Sequence, residues 1–280
     1  MIASLRALYR LLLALPIPAW SYGWALAASI LLRRWPQRRV REQGRAYRWW
    51  SRGLCRVFGV RVRVTGEPPR APFFLVSNHL SYLDILVLGT QIPCVFVAKA
   101  EIDRWPLFGA LCRSVNTIFI DRRAKRSLPR VLAEIEIALA AGQGVVIFPE
   151  GTSGAGHEVM AFRSPLLDLP ARLGYPVHWA ALTYRVPEDA TPAHLSVTWW
   201  GDMPLAPHVG EMLRLPWIEA SLAFGPAPIA EPDRKRLAEQ LRLEIEARFE
   251  PVVERSEIER LLALRESDPA SLPRVLVRRS

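Results

Sequence analysis

The chain's pattern predicts an α/β domain on a mostly parallel mixed sheet flanked by helices, preceded by an N-terminal apolar helical segment. Three observations carry this. Short apolar runs at 73–76, 95–98, 118–120 and 145–148 alternate with helix-like stretches at 83–88 and 128–141. Such alternation favours parallel strands joined through covering helices. Half of the 280 residues are hydrophobic, which suits one sizeable core. Finally, Leu11 to Leu32 contains no charged residue, close to the roughly 20 residues that cross a ~30 Å hydrocarbon layer.

Pro16 and Pro18 interrupt the apolar segment, since a helix interior tolerates proline poorly. Two short helices are expected, over 2–15 and 19–35, joined at the prolines. Arg6 and Arg10 precede the run, and Arg33, Arg34, Arg38, Arg39 and Arg41 follow it. That layout reads as headgroup contact at both ends and favours a re-entrant or monotopic anchor over a single span. A cleaved signal peptide fits less well, because the run ends in an arginine block. The organisation expected is an N-terminal membrane-anchoring segment over 1–59, a main domain over 60–250 and a tail over 251–280.

Beyond the anchor, Val60 to Val64 alternates and reads as an edge strand. Later strands are expected over 177–183, 195–199 and 219–224, followed by amphipathic helices over 232–249 and 258–264. The net charge is +10, which suits anionic headgroups, acidic proteins or nucleic acid. No nucleic-acid-binding signature accompanies it. Cys55, Cys94 and Cys112 show no metal or disulfide spacing, so a reducing compartment is expected. His157, His178, His194 and His208 lack metal-ligand spacing and read as loop or packing residues.

The chemistry-bearing residues follow strands. Asn78-His-Leu-Ser-Tyr-Leu-Asp84 leaves the strand at 73–76. Across a strand-to-helix turn, Asp84 can accept from one imidazole nitrogen of His79 and leave the other to take a proton from a hydroxyl. Ser81 to Asp84 also matches a capping box, in which the carboxylate only satisfies backbone donors. Phe148-Pro-Glu-Gly-Thr152 follows a second strand and opens a glycine-rich loop able to present N–H groups to an anion. Ile118-Phe-Ile-Asp-Arg-Arg123 ends a third strand in charge, where Arg122 can hold a phosphate or carboxylate.

In this order these blocks resemble the glycerolipid acyltransferase family that includes 1-acyl-glycerol-3-phosphate acyltransferase, over roughly residues 61–249. The resemblance implies that 60–250 is an acyltransferase domain, with His79 as general base and Asp84 its orienter. It also implies that Asn78, Lys99, Arg122, Glu150, Gly151 and Thr152 shape the acceptor site. No cofactor is implied; the acyl donor would be acyl-CoA or acyl carrier protein, and the acceptor a lysolipid used in membrane lipid biosynthesis. The setting implied is the cytoplasmic side of a bacterial inner membrane, without metal or nucleic acid. Asn116 stands where the family has glycine, and Ser153-Gly154 where it often has arginine. The segments 148–163 and 199–203 look closer to the lyso-ornithine lipid acyltransferase branch, whose acceptors carry no phosphate. Arg163 or Lys99 could compensate for the missing arginine. Two rival readings are a serine hydrolase using Ser153, since Gly151-Thr-Ser-Gly-Ala155 nearly imitates a nucleophile elbow, and a non-catalytic membrane lipid-binding protein.

Overall fold

The computed structural model describes residues 2–105, 108–121, 124–267 and 272–276. Three helices come first: α1 (Ile2–Ala14), α2 (Pro16–Leu31) and α3 (Pro36–Phe58). Then follow β1 (Val60–Thr65), β2 (Phe73–Ser77), α4 (Leu83–Gln91), β3 (Cys94–Lys99), α5 (Ala100–Asp103), α6 (Phe108–Ser114), β4 (Ile118–Ile120), α7 (Leu128–Ala140) and β5 (Gly144–Ile147). The chain ends with α8 (Asp168–Leu173), β6 (Val177–Arg185), α9 (Ala193–Ser196), α10 (Leu205–Arg214), β7 (Ile218–Phe224), α11 (Arg234–Glu246) and α12 (Arg255–Ser267).

The strands form one sheet in the order β1-β7-β6-β2-β5-β3-β4. The run from β6 to β4 is parallel throughout. β7 lies antiparallel to β6, and β1 is parallel to β7 at the edge. Helices cover both faces of β2 and β5, which explains why these strands read as unbroken apolar runs. Alternate residues serve opposite faces. Phe73 and Leu75 pack with Tyr47 and Trp50 of α3 and with Leu83 and Val87 of α4. Phe74 and Val76 pack with Val131 and Ile135 of α7 and with Leu237 and Leu241 of α11. Each fully buried phenylalanine contributes about 1.5–3 kcal/mol.

The expected strand at 195–199 is absent. Pro192 instead starts α9, with Ser196 N–H donating to the Pro192 carbonyl at 3.1 Å and Val197 N–H to the Ala193 carbonyl at 2.9 Å. A short buried apolar run fits either element, so its periodicity does not decide between them.

The two N-terminal helices are present, but they meet at Leu15 and α2 begins at Pro16. Both prolines sit in the first turn of α2, where a missing N–H and a fixed φ are tolerated. The helices do not double back on each other. Arg10 lies at Gly59 and Ile17 at Gly53. Further along, Ser21 Oγ donates to the Ala46 carbonyl at 3.0 Å and Gln43 Nε2 to Ser29 Oγ at 3.1 Å. Together α1 and α2 therefore run antiparallel along α3. Residues 2–31 are long and apolar enough to cross a membrane by length and composition. Ile2, Leu5, Leu12, Leu15, Trp20, Ile30 and Leu31 all stand exposed.

One expectation here is corrected. Arg10 is no headgroup contact. It is buried, and its guanidinium donates to the carbonyls of Leu213 at 3.2 Å, Leu215 at 2.7 Å and Pro216 at 3.1 Å. Arg6 donates likewise to the Arg214 carbonyl at 2.8 Å. Carbonyls at the end of α10 have no partner within their own helix, and a cation suits that negative helix end.

Candidate active site

In the parallel part of the sheet, β2, β5, β3 and β4 all end at one edge, and the sequence motifs are the segments that leave it. Chain direction changes side here. The chain passes from β2 over β5 to β3, and from β5 over β2 to β6. Crevices at such switch points, outside the carboxyl ends of strands, are where open α/β sheets bind ligands.

Asn78 is the first residue past β2. Its Nδ2 donates to the Leu182 carbonyl at 2.9 Å, and its Oδ1 accepts from Leu182 N–H at 2.7 Å. Both polar atoms of this buried amide thus prolong the β2–β6 ladder and fix the start of the turn. His79 follows. Its Nδ1 lies 2.7 Å from Asp84 Oδ2, its side chain is 22% exposed, and Nε2 makes no hydrogen bond among the described residues. The ring stacks on Phe148 at 4.2 Å between centroids and 14° between planes, and Phe148 stacks in turn on Phe96 at 5.9 Å.

Asp84, in the first turn of α4, is fully buried. Oδ2 also accepts from Leu80 N–H at 2.7 Å and Ser81 N–H at 3.0 Å, while Oδ1 accepts from the Tyr184 hydroxyl at 2.6 Å. The capping and orienting readings of Asp84 therefore hold together: one carboxylate satisfies the turn's amides and aims the histidine. Two loops fix the turn from outside. Gly154 N–H donates to the His79 carbonyl and Trp199 N–H to the Leu80 carbonyl, both at 2.8 Å.

Glu150 follows β5 and is buried, with Oε1 lacking a hydrogen-bond partner among the described residues. Burial pushes its carboxyl well above the usual range; the Asp84 charge pushes the same way, while the amides of His79 and Met160 pull it down. Gly151 takes φ 80, a conformation open to glycine at little cost, and turns the loop under the site. Thr152 is exposed beside it, and Lys99 is exposed at the end of β3. With β5 between β2 and β3, neighbouring strand spacings put Lys99 about 10 Å across the edge from the His79 turn. Arg122 lies outside the described residues. Arg163 is exposed, and its N–H donates to the Pro149 carbonyl at 2.9 Å, which brings a cation to the Glu150 loop. Ser153 directs its hydroxyl to the Trp199 carbonyl and makes no hydrogen bond with His79, so the nucleophile-elbow reading lacks its base.

Two participants escape sequence reasoning. Tyr184 lies far along the chain in β6, and its only signal is that it shares a face with Ala180 and Leu182. His208 of α10 is fully buried between the Thr198 carbonyl, 2.9 Å from Nε2, and the Tyr82 hydroxyl, 3.2 Å from Nδ1. It thereby braces Tyr82 inside the His79–Asp84 turn.

Comparison with known proteins bears on this arrangement. The Acyltransferase family model matches residues 61–182, which spans every segment just described except the Trp199 loop, Tyr184 and α10. A lyso-ornithine lipid O-acyltransferase of Pseudomonas aeruginosa is 37% identical over 219 residues, covering 76% of this chain and 81% of that one. A 1-acyl-sn-glycerol-3-phosphate acyltransferase of Neisseria meningitidis is 29% identical over 136 residues, covering 48% and 53%. The crystal structure of a 1-acyl-sn-glycerophosphate acyltransferase from Thermotoga maritima shares the fold, with a TM-score of 0.63 at 21% identity over 87% of this chain and 94% of that one. With a relative this similar over most of both lengths, and with His79 and Asp84 in contact at the sheet's carboxyl edge, the chain belongs to the acyltransferase family.

Proposed function

We propose that this acyltransferase moves a fatty acyl group from a thioester, acyl-CoA or acyl carrier protein, to the free hydroxyl of a lysolipid, and that it prefers lyso-ornithine lipid to 1-acyl-glycerol-3-phosphate. One observation carries the chemistry: His79 Nδ1 sits 2.7 Å from a buried Asp84 while the opposite nitrogen is unbonded. Asp84 holds the tautomer with hydrogen on Nδ1, so Nε2 is the basic atom. Nε2 takes the proton as the acceptor oxygen attacks the thioester carbonyl carbon. The tetrahedral species collapses, the C–S bond breaks, and the thiolate takes the proton back from Nε2. An ester and a free thiol result, and the enzyme returns unchanged. No covalent enzyme intermediate is needed.

The acceptor preference rests on the relatives' names together with Ser153 and Gly154 standing where a phosphate-binding arginine is usual. Glu150, Gly151 and Thr152 line the acceptor side of the site, with Lys99 and Arg163 as the nearby cations among the described residues. The apolar outer face of α1 and α2 docks the enzyme monotopically on the cytoplasmic side of the inner membrane.

The test uses purified enzyme, one acyl thioester, and a panel containing both lysolipids, with thiol release as the readout. His79→Ala should lose at least 100-fold, the usual range for a general base, and Ser153→Ala should remain active. Thiol release unaffected by His79→Ala would refute the mechanism. Faster turnover of the phosphate-bearing acceptor would refute the preference.

A further inference from the structure

Of the seven arginines of helix α3, six stand at 38, 41, 45, 48, 52 and 56, and Arg39 lies apart from them. At about 100° per residue these positions fall within an arc of roughly 80°, and they span about 27 Å of axis. Glu42 is the only acidic residue on the helix. The members have different duties. Arg48 and Arg52 donate to the Gln91 and Thr90 carbonyls and so cap α4. Arg45 pairs with Glu42 at 2.5 Å. Among the described residues Arg38 and Arg41 make neither a hydrogen bond nor an ion pair.

Against this stripe lies a cavity of about 510 Å³. Arg41, Arg45 and Arg48 form one wall, Tyr47 and Cys94 contribute apolar surface, and no carboxylate lines it. Nε of Arg48 is buried there without a hydrogen-bond partner among the described residues. The cavity opens at the amino ends of β3 and β5, the opposite edge of the sheet from His79. A strand of five residues separates those edges by about 15 Å, so an occupant would not compete with the acyl acceptor. The stripe also begins where the apolar belt ends. Ser29 of α2 is bonded to Gln43 of α3, Ile30 and Leu31 next to it are exposed, and Trp35 stands exposed at the border. Tryptophan at the edge of an apolar belt, flanked by arginine, suits the headgroup layer.

We propose that this arginine-walled cavity is a second, non-catalytic lipid site that takes the phosphate headgroup of an anionic membrane phospholipid. The site rests on the membrane docking proposed above and adds a demand for headgroup charge to it. A guanidinium fork matches phosphate oxygens, the apolar lining accepts the glycerol backbone, and the rest of the stripe faces the anionic surface.

The experiment is co-sedimentation of the full-length protein with phosphatidylcholine vesicles and with vesicles in which about a third of the lipid is phosphatidylglycerol. The wild type should bind both, the anionic ones more tightly, and high salt should erase the difference. Arg41→Gln with Arg45→Gln should weaken anionic binding about 30-fold, at roughly fivefold per arginine near a charged surface. Binding to phosphatidylcholine, thermal unfolding and thiol release in neutral detergent should not change. The double lysine variant should keep most of the anionic preference, since it preserves charge. Anionic binding unaffected by the glutamine pair overturns the site, as does an equal loss on phosphatidylcholine. Unchanged vesicle binding with slower turnover only for the protein-carried acyl donor would assign the stripe to an acidic carrier protein instead. A wild type that binds neither vesicle would sink the membrane docking itself.

Discussion

Tyr184→Phe isolates one hydrogen atom's contribution to the site. The phenol donates to Asp84 Oδ1 at 2.6 Å, and no other donor reaches that oxygen among the described residues, whereas Oδ2 has three. Burial and the neighbouring Asp84 charge push the Tyr184 phenol well above its ordinary range, so it remains a donor at any working pH. Phenylalanine keeps the ring's packing and removes only the bond. A hydrogen bond to a charged group contributes about 1.5–3 kcal/mol, and its loss leaves a buried carboxylate oxygen bare. At about 2–4 °C per kcal/mol for a domain of this size, thermal unfolding should fall by roughly 3–12 °C. With one donor fewer the carboxylate is held less firmly, and with it the imidazole it positions, so thiol release should slow. Thiol release beside a melting curve tests both effects. A variant with wild-type melting and wild-type turnover would show that the bond does nothing for Asp84.

The remaining predictions concern other buried polar groups. Glu150 binds its proton more tightly folded than unfolded, so wild-type stability should decline as pH rises from the ordinary carboxyl range through the raised value. Glu150→Gln should remove that decline and be more stable than wild type by about 1–3 kcal/mol at alkaline pH; parallel stability curves would refute it. Burial lowers the His208 imidazole from 6.5 to about 4. The unfolded chain therefore takes up the proton first, and about 3 kcal/mol of stability should be lost as pH falls from about 7 to 4. His208→Gln should flatten that part of the acid-unfolding curve, and an unchanged slope would clear His208 of any part in it. Arg10→Met keeps the stem but strands the carbonyls of Leu213, Leu215 and Pro216, so melting should drop by roughly 5–15 °C, from about 2–4 kcal/mol. No change would return Arg10 to a solvated surface role.

Much of this fold could be read from the residues because the central strands are covered on both sides. Burial on both faces forces unbroken apolar runs, and 73–76, 95–98 and 145–148 stand out for that reason. The reading fails where local pattern and context part company. Leu195 to Trp199 alternates like a strand, yet Pro192 starts a helical turn there instead. Helix α10 contains Pro207 and Gly210, which weaken its intrinsic signal; packing against α1 and α9 and the bonds from Arg10 hold it. Basic residues before an apolar run look like headgroup contacts until the chain returns, some 200 residues later, with carbonyls in need of a donor.

The contact between His79 and Asp84 was readable for a stronger reason than motif likeness. A carboxylate in the first turn of a helix normally reaches back to the amides just before it, because those donors have no helical acceptor. At Asp84 that ordinary reach brings Oδ2 to Leu80 and Ser81, and the imidazole two residues before Ser81 shares the same oxygen. Capping geometry thus brings the imidazole to the same carboxylate oxygen as the two amides. Sequence shows this because every participant on Oδ2 is local. Oδ1 is different: its partner arrives from β6 only after β2 and β6 have paired. Side chains that complete a site across a sheet leave no local trace, which is why Tyr184 needed coordinates and His79 did not.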